Sequence, residues 1–301
     1  MTQSVLSRYL NPEILRRVAD RPLEPHGLVM GNLAGAHKSP LSGFAVEFAG
    51  HRDYIVGDDP RHIDWRLYYK RDRLSIKQYE METNFVCHLV LDISASMRYG
   101  AGNEQKLFCA AQAATTLAYS IIAQNDKVSL TTFDDRIQGY VPPGNTLAQI
   151  HRIIQHLDQI SPVEKTNMVD CLTDLTGRMG RREIVMIFSD FFTDLTALET
   201  VLQRMKYNRH EIVLFHILHP HERTFQFEGM VKFLGIEETA EYLTQTEDIR
   251  NGYLASLHRY EAAFEDLCRR NAIERVSVDT SGNLGDDLVE YLNQRTRVRL
   301  R

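Results

Sequence analysis

From about residue 85 onward, short runs of β-branched and apolar residues alternate with stretches whose apolar positions recur at helical spacing. That alternation is the pattern of a parallel sheet covered by helices on both faces. FVCHLVLDI (85–93) reads as the first buried strand. A helix over 106–124, a strand KVSLTTF (127–133) and a short strand RIQGYV (136–141), reached through Asp134 and Asp135, follow it. The last connection is too short for a parallel crossover, which predicts antiparallel pairing. The turn PPGN (142–145) leads to Thr146 as the N-cap of TLAQIHRIIQHLDQI, with Leu147, Ile150, Ile154 and Leu157 on its apolar face. A helix over 167–179, strand EIVMIFSD (183–190), helix 195–207, strand EIVLFHIL (211–218), helix 248–271, strand IERVSVD (273–279) and helix 285–294 complete the pattern. Residues 219–247 keep no steady period and read as surface turns with a small hairpin.

The first part of the chain reads differently. Leu6, Leu10, Ile14 and Val18 form one stripe of an amphipathic helix. Residues 21–84 carry prolines at 22, 25, 40 and 60 and glycines at 27, 31, 35, 43, 50 and 57, between short extended pieces such as LSIKQYE. So little apolar periodicity does not support a separate core. The expected organisation is therefore an N-terminal helix and extended arm over 1–82, packed on a sheet domain over 83–301.

Composition narrows the class. At 301 residues, 43% hydrophobic and 25% charged, the chain is globular, and its formal charge of -5 gives it no bulk attraction to nucleic acid or membrane. Cys87, Cys109, Cys171 and Cys268 are scattered, without CxxC spacing, which predicts reduced, mostly buried thiols. The N-terminus lacks the apolar core of a signal peptide. The uncharged run Leu107 to Asn125 contains Gln112, Thr115, Thr116, Ser120 and Gln124, and reads as a helix inside a domain rather than a membrane span. A cytoplasmic protein with no membrane span and no nucleic-acid partner is the expectation.

The sharpest chemical signal is Asp92-Ile93-Ser94-Ala95-Ser96, directly after the first buried strand. Ligands of open α/β sheets sit at the carboxyl ends of strands, and DxSxS puts a carboxylate and two hydroxyls on one loop there. These are hard oxygen donors, suited to Mg²⁺ or Mn²⁺ rather than zinc. Asp190 ends another apolar run and so reaches the same edge, while Thr166 lies in the loop before helix 167–179. Thr146 is the competing threonine, but it already has a capping role. The bland alternative for Ser94 and Ser96 is helix capping.

LDISASM, a Thr-bearing loop and FSD together resemble the metal-ion-dependent adhesion site of von Willebrand factor A domains. The string RDYIVGDDPRHIDW (52–65), between GAHKSPLSGFAVEF and RDRLSIKQYEMET, resembles the N-terminal region of the bacterial domain of unknown function fifty-eight family. The resemblance implies a six-stranded A-domain fold and a divalent cation held by Asp92, Ser94, Ser96, Thr166 and Asp190. It further implies an adaptor role beside a MoxR-type AAA+ ATPase, or a client protein that offers a carboxylate to the metal. The sequence Glu164-Lys165-Thr166-Asn167 departs from the Gly-Gly-Thr-Asp-like loop common in relatives. Many relatives carry N-terminal transmembrane helices, and none is read here.

Other features take quieter readings. Gly57-Asp58-Asp59, Arg61, Asp64 and Arg71 read as an ion-pair and turn network, and Trp65, Tyr68, Tyr69 and Tyr79 as anchors of the arm to the sheet domain. His219-Pro220-His221-Glu222 reads as a polar turn, and RTRVRLR (295–301) as a frayed end or edge strand. No GxxxxGK[ST], GxSxG, HExxH or GxGxxG motif is present, so a non-enzymatic binding module is expected. The rival is a Mg²⁺-dependent phosphoryl transferase or phosphatase with Asp92 as nucleophile. Such enzymes usually have a second Asp two residues on, where Ser94 stands, and a Lys near the phosphate.

Overall fold

A computed structural model describes residues 8–26, 37–38, 47–56, 58–80, 82–160, 167–234 and 241–299. In chain order, α1 spans Pro12–Val18, β1 His37–Lys38, β2 Glu47–Asp53, α2 Trp65–Arg71, β3 Ser75–Glu80, β4 Glu82–Thr83, β5 Val86–Asp92, α3 Lys106–Ala123, β6 Lys127–Phe133, β7 Ile137–Gly144 and α4 Leu147–Asp158. Then come α5 Met168–Arg178, β8 Ile184–Ser189, α6 Leu195–Tyr207, β9 Glu211–Leu218, α7 Pro220–Thr224, β10 Met230–Leu234, β11 Glu241–Gln245, α8 Thr246–Arg270, β12 Glu274–Asp279 and α9 Leu284–Arg299.

Six strands form one sheet in the order β12-β9-β8-β5-β6-β7. All neighbours are parallel except β6 and β7, the antiparallel pair expected from their short connection. Strand order, the single antiparallel edge strand and helices on both faces make this a von Willebrand factor A fold. Alternate residues of the buried strands serve opposite faces. Val90, Val185, Ile187, Ile212 and Leu214 pack with α5, α6 and α8 in one core. On the other face lie α3 and α9, where Phe215 meets the Tyr291 ring at 5.4 Å. The small side chains Ala110, Ala113, Ala114 and Ala118 of α3 are all fully buried, so this helix, uncharged beyond its first residue, is a core helix.

Several local expectations are corrected. Strand β7 continues through Pro142 and Pro143, which were expected in a turn; an edge strand tolerates the missing ladder donors. Thr146 precedes α4 without a side-chain capping bond, and Leu147 is 65% exposed, its place on the buried face being taken by Ile153 and Gln149. The last helix continues to Arg299, so RTRVRLR is neither a frayed end nor a strand over its described part, and Arg295 is buried. The expected hairpin between 219 and 247 is β10 and β11. All four cysteines are buried and free.

The chain forms two compact units, one of residues Met1–His26 with Val86–Arg301, the other Gly27–Phe85. The described N-terminal segment thus belongs with the sheet and not with the arm. Asn11 caps α1, which buries Ile14 and Val18 and lies against α9 and α3. Leu6 of the expected stripe lies outside the described residues. In the second unit β1 pairs with β4 and β2 with β3, both antiparallel, and α2 is a helix that the irregular pattern did not predict. Asp64 caps α2 through the amides of Arg66 and Leu67, and Arg52 grips Asp58 with two bonds of 2.6 and 2.7 Å. That bidentate pair holds the Asp58 carboxyl down to about 2, chiefly through the Arg52 hydrogen bonds.

Candidate metal centre

Parallel strands β5 and β8 are in register at Leu91 and Phe188, so their carboxyl ends finish at one level of the sheet edge. Asp92 is the last residue of β5, and Asp190 follows the last residue of β8. Both are buried, at 1% and 3% exposure. Asp92 accepts hydrogen bonds from the Ser94 amide at 2.9 Å and from Ser189 Oγ at 2.6 Å. The first is the local turn that folds DxSxS back on itself; it leaves Ser94 Oγ 3.2 Å from Ser96 Oγ. Ser94 is fully buried, and Ser96 opens a short 3-10 turn at the half-exposed side of the loop.

Burial, and then the neighbouring Asp190 charge, push the Asp92 carboxyl up to about 6. Both hydrogen-bond partners of Asp92 are neutral donors. Asp190 is placed otherwise: its Oδ2 receives Lys106 Nζ at 2.8 Å. Lys106, the first residue of α3, is completely buried and also reaches Glu222 Oε1 at 2.6 Å. Burial alone would lower the lysine, but Asp190 and Glu222 hold it above its ordinary value.

The supporting structure fixes these groups. Between the 3-10 turn and α3, Gly100 takes φ +95°, and a Cβ there would sit 2.5 Å from the Glu104 carbonyl oxygen, so the loop requires glycine. Phe191, next to Asp190, has φ +53°, a strained conformation for an aromatic residue. The Tyr260 hydroxyl clamps it by donating to the carbonyl oxygen of Phe191, while the Phe191 amide donates to Ser189 Oγ at 3.0 Å. Glu222 completes a capping box on α7 through the His219 amide, at 2.9 Å. His219-Pro220-His221-Glu222 is therefore a capped helical turn, and Glu222 links it to Lys106.

Of the sequence-predicted ligands, Asp92, Ser94, Ser96 and Asp190 come to one edge, and Thr166 lies outside the described residues. Its neighbour Asn167 donates its amide to the carbonyl oxygen of Asp134, the residue that follows β6 at the same edge. Sequence reasoning missed Lys106, Glu222, Ser189 and Asp134. The lone Lys heading an otherwise uncharged helix was the available signal for the first. Asp134 is fully buried, with Oδ2 unpartnered. Among the described residues no group of three or more His, Cys, Asp or Glu is arranged to hold a metal, so the candidate rests on carboxylates and hydroxyls together. A buried carboxylate with neutral partners, beside two adjacent hydroxyls, fits a hard divalent cation.

The family profile described as "Protein of unknown function DUF58" matches residues 50–263. The chain belongs to this family. Curated relatives include "Uncharacterized protein Rv1480" of Mycobacterium tuberculosis and "Uncharacterized protein Mb1516" of Mycobacterium bovis, each 23% identical over 195 residues, or 64% of this chain. This DUF58 chain spans about three-fifths (61%) of the length of those relatives. Similar solved structures include an aerotolerance-related membrane protein from Bacteroides fragilis, with TM-score 0.47, 18% identity and coverage of 71% of this chain and 99% of that one. The SpRpn10 VWA domain aligns with TM-score 0.40 and 14% identity, covering 69% of this chain and 95% of that one.

Proposed function

We propose that this DUF58 protein is a non-enzymatic, metal-dependent protein-binding adaptor of the cytoplasm, working with a MoxR-type AAA+ ATPase in complex assembly or client remodelling. Asp92, Ser94 and Ser96 would hold Mg²⁺ or Mn²⁺, with Asp190 and Thr166 completing the donor set. The bound cation supplies a positive charge that a carboxylate of a partner protein can meet. The observation that carries this reading is Asp92: a carboxylate 1% exposed whose recorded partners, the Ser94 amide and Ser189 hydroxyl, are neutral.

The phosphoryl-transfer alternative fits less well. Asp92 is 1% exposed, and the nearby Lys106 is itself buried between two carboxylates. A nucleophile needs an open line of approach to its substrate.

The test is thermal melting with Mg²⁺ and with EDTA, for the wild type and Asp92→Asn. Free metal at tenfold its dissociation constant should stabilise the wild type by about 1.4 kcal/mol and the variant by nothing measurable. Identical wild-type melting in both buffers sinks the metal reading. A pull-down with a MoxR-type AAA+ ATPase of the same organism, with and without EDTA, tests the adaptor role; equal capture refutes metal-mediated docking.

A further inference from the structure

The second compact unit presents apolar and cationic side chains together. In α2, Trp65 and Tyr69 are four residues apart and so share one face, and they are 55% and 87% exposed. Tyr68 joins them, its ring 6.2 Å from Trp65 and 6.0 Å from Tyr69. Ile55 and Val56, in the turn after β2, are 66% and 94% exposed. Backbone bonds from Tyr54 to Leu74 and from Asp64 to Ser75, both 2.9 Å, tie that turn and the start of α2 to the same strand entrance. Exposed apolar groups clustered in this way mark interaction sites, whereas single ones do not.

The charges around them are one-sided. Arg61, Arg66, Lys70, Arg71 and Arg73 are all exposed, and among the described residues none of the five is ion-paired. Three of the carboxylates here are already engaged, Asp58 by Arg52, Asp59 by the Arg61 amide and Asp64 by the α2 amides and His51, while Asp53 and Asp72 are exposed. Residues 61–74 hold five Lys/Arg and two Asp, a local +3 in a chain of -5, leaving -8 for the rest.

We propose that this surface is a docking site for an acidic segment of a partner protein, one that lays aliphatic or aromatic side chains on Trp65, Tyr69, Ile55 and Val56 and carboxylates on the surrounding Arg and Lys. It is independent of the metal. Interleaved Asp53 and Asp72 disfavour a continuous polyphosphate track, so a protein segment is chosen over nucleic acid.

Trp65 is the chain's single tryptophan, which makes its fluorescence a direct reporter of this surface. The experiment uses the full chain, acrylamide quenching and an acidic amphipathic peptide of Glu, Leu and Ala, with a dT oligonucleotide and phosphatidylserine vesicles as rivals. The peptide should shift Trp65 emission to the blue and shield it from acrylamide, with EDTA making no difference. Arg66→Glu with Lys70→Glu, two exposed sites whose change should leave the fold intact, should weaken peptide binding about tenfold or more, and Arg66→Lys with Lys70→Arg should restore it. Shielding by the oligonucleotide or vesicles but not the peptide overturns the proposal. So does a Trp65 already inaccessible in the free chain, or peptide binding that the charge reversals leave unchanged.

Discussion

The two ends of the central sheet both bury ionisable groups, yet they treat them in opposite ways. At the amino ends of the strands Glu183, Glu211 and Glu274 each have a cationic or imidazole partner. Glu183 meets His88 Nε2 at 2.9 Å, while Arg295 bridges Glu211 at 2.5 Å and Glu274 at 3.0 Å. The other His88 nitrogen is taken by Ser129 Oγ at 2.7 Å. Arg295 also donates to the Tyr291 hydroxyl and to the Glu24 carbonyl oxygen, which ties the N-terminal segment to α9. At the carboxyl ends Asp190 and Glu222 share Lys106, and Asp92 is left with neutral donors. A closed network specifies structure; an open one leaves a place for an external charge. The Ser129, His88 and Glu183 row has the residue types of a hydrolytic triad, but Ser129 is fully buried, so it belongs to the closed class.

The largest expected effect lies at the closed end. Arg295→Met would leave Glu211 and Glu274 without their guanidinium, and should cost about 3–5 kcal/mol in urea denaturation, with Mg²⁺ giving no relief beyond the wild-type increment. Lys106→Met at the open end should cost about 3 kcal/mol in EDTA for the same reason. Here Mg²⁺ should recover part of the loss and bind more tightly than to wild type, because Asp190 is released to a cation that can replace the ammonium. Equal recovery by Mg²⁺ in both variants would erase the distinction between the ends.

Much of this contrast was legible in the chain itself. Runs such as EIVMIFSD and EIVLFHIL are too apolar and β-branched to be anything but buried strands, and strand-end logic alone carried Asp92 and Asp190 to one edge. Lys106, Glu222 and Arg295 were not legible, because a charged residue at a helix end reads as solvated until tertiary packing closes over it. Leu147 and the aromatic residues of α2 show the converse. Helical spacing marks a shared face, but only the neighbouring elements decide whether that face is covered, and Trp65 and Tyr69 are exposed where buried anchors were expected. Residues 65–71 were also hidden as a helix, since one Asp cap and two turns give too short a period to detect.

The smallest effect is a difference of sign with pH. Asp92, raised to about 6, binds its proton more readily in the folded than in the unfolded chain, so its contribution to stability falls as pH rises through about 4 to 6 and grows on acidification. His210, near the amino end, is lowered by burial; the unfolded chain takes up the proton first, and stability is lost as pH falls below about 6.5. Between pH 7 and 5 in EDTA the two ends therefore pull in opposite directions, Asp92 by about 1 kcal/mol. Relative to wild type, Asp92→Asn should lose stability more steeply on acidification, because the gain from protonating Asp92 is gone, and His210→Gln less steeply. Urea midpoints at the two pH values measure both slopes. Slopes displaced in the same direction would mean that the open and closed ends do not differ in how they hold charge.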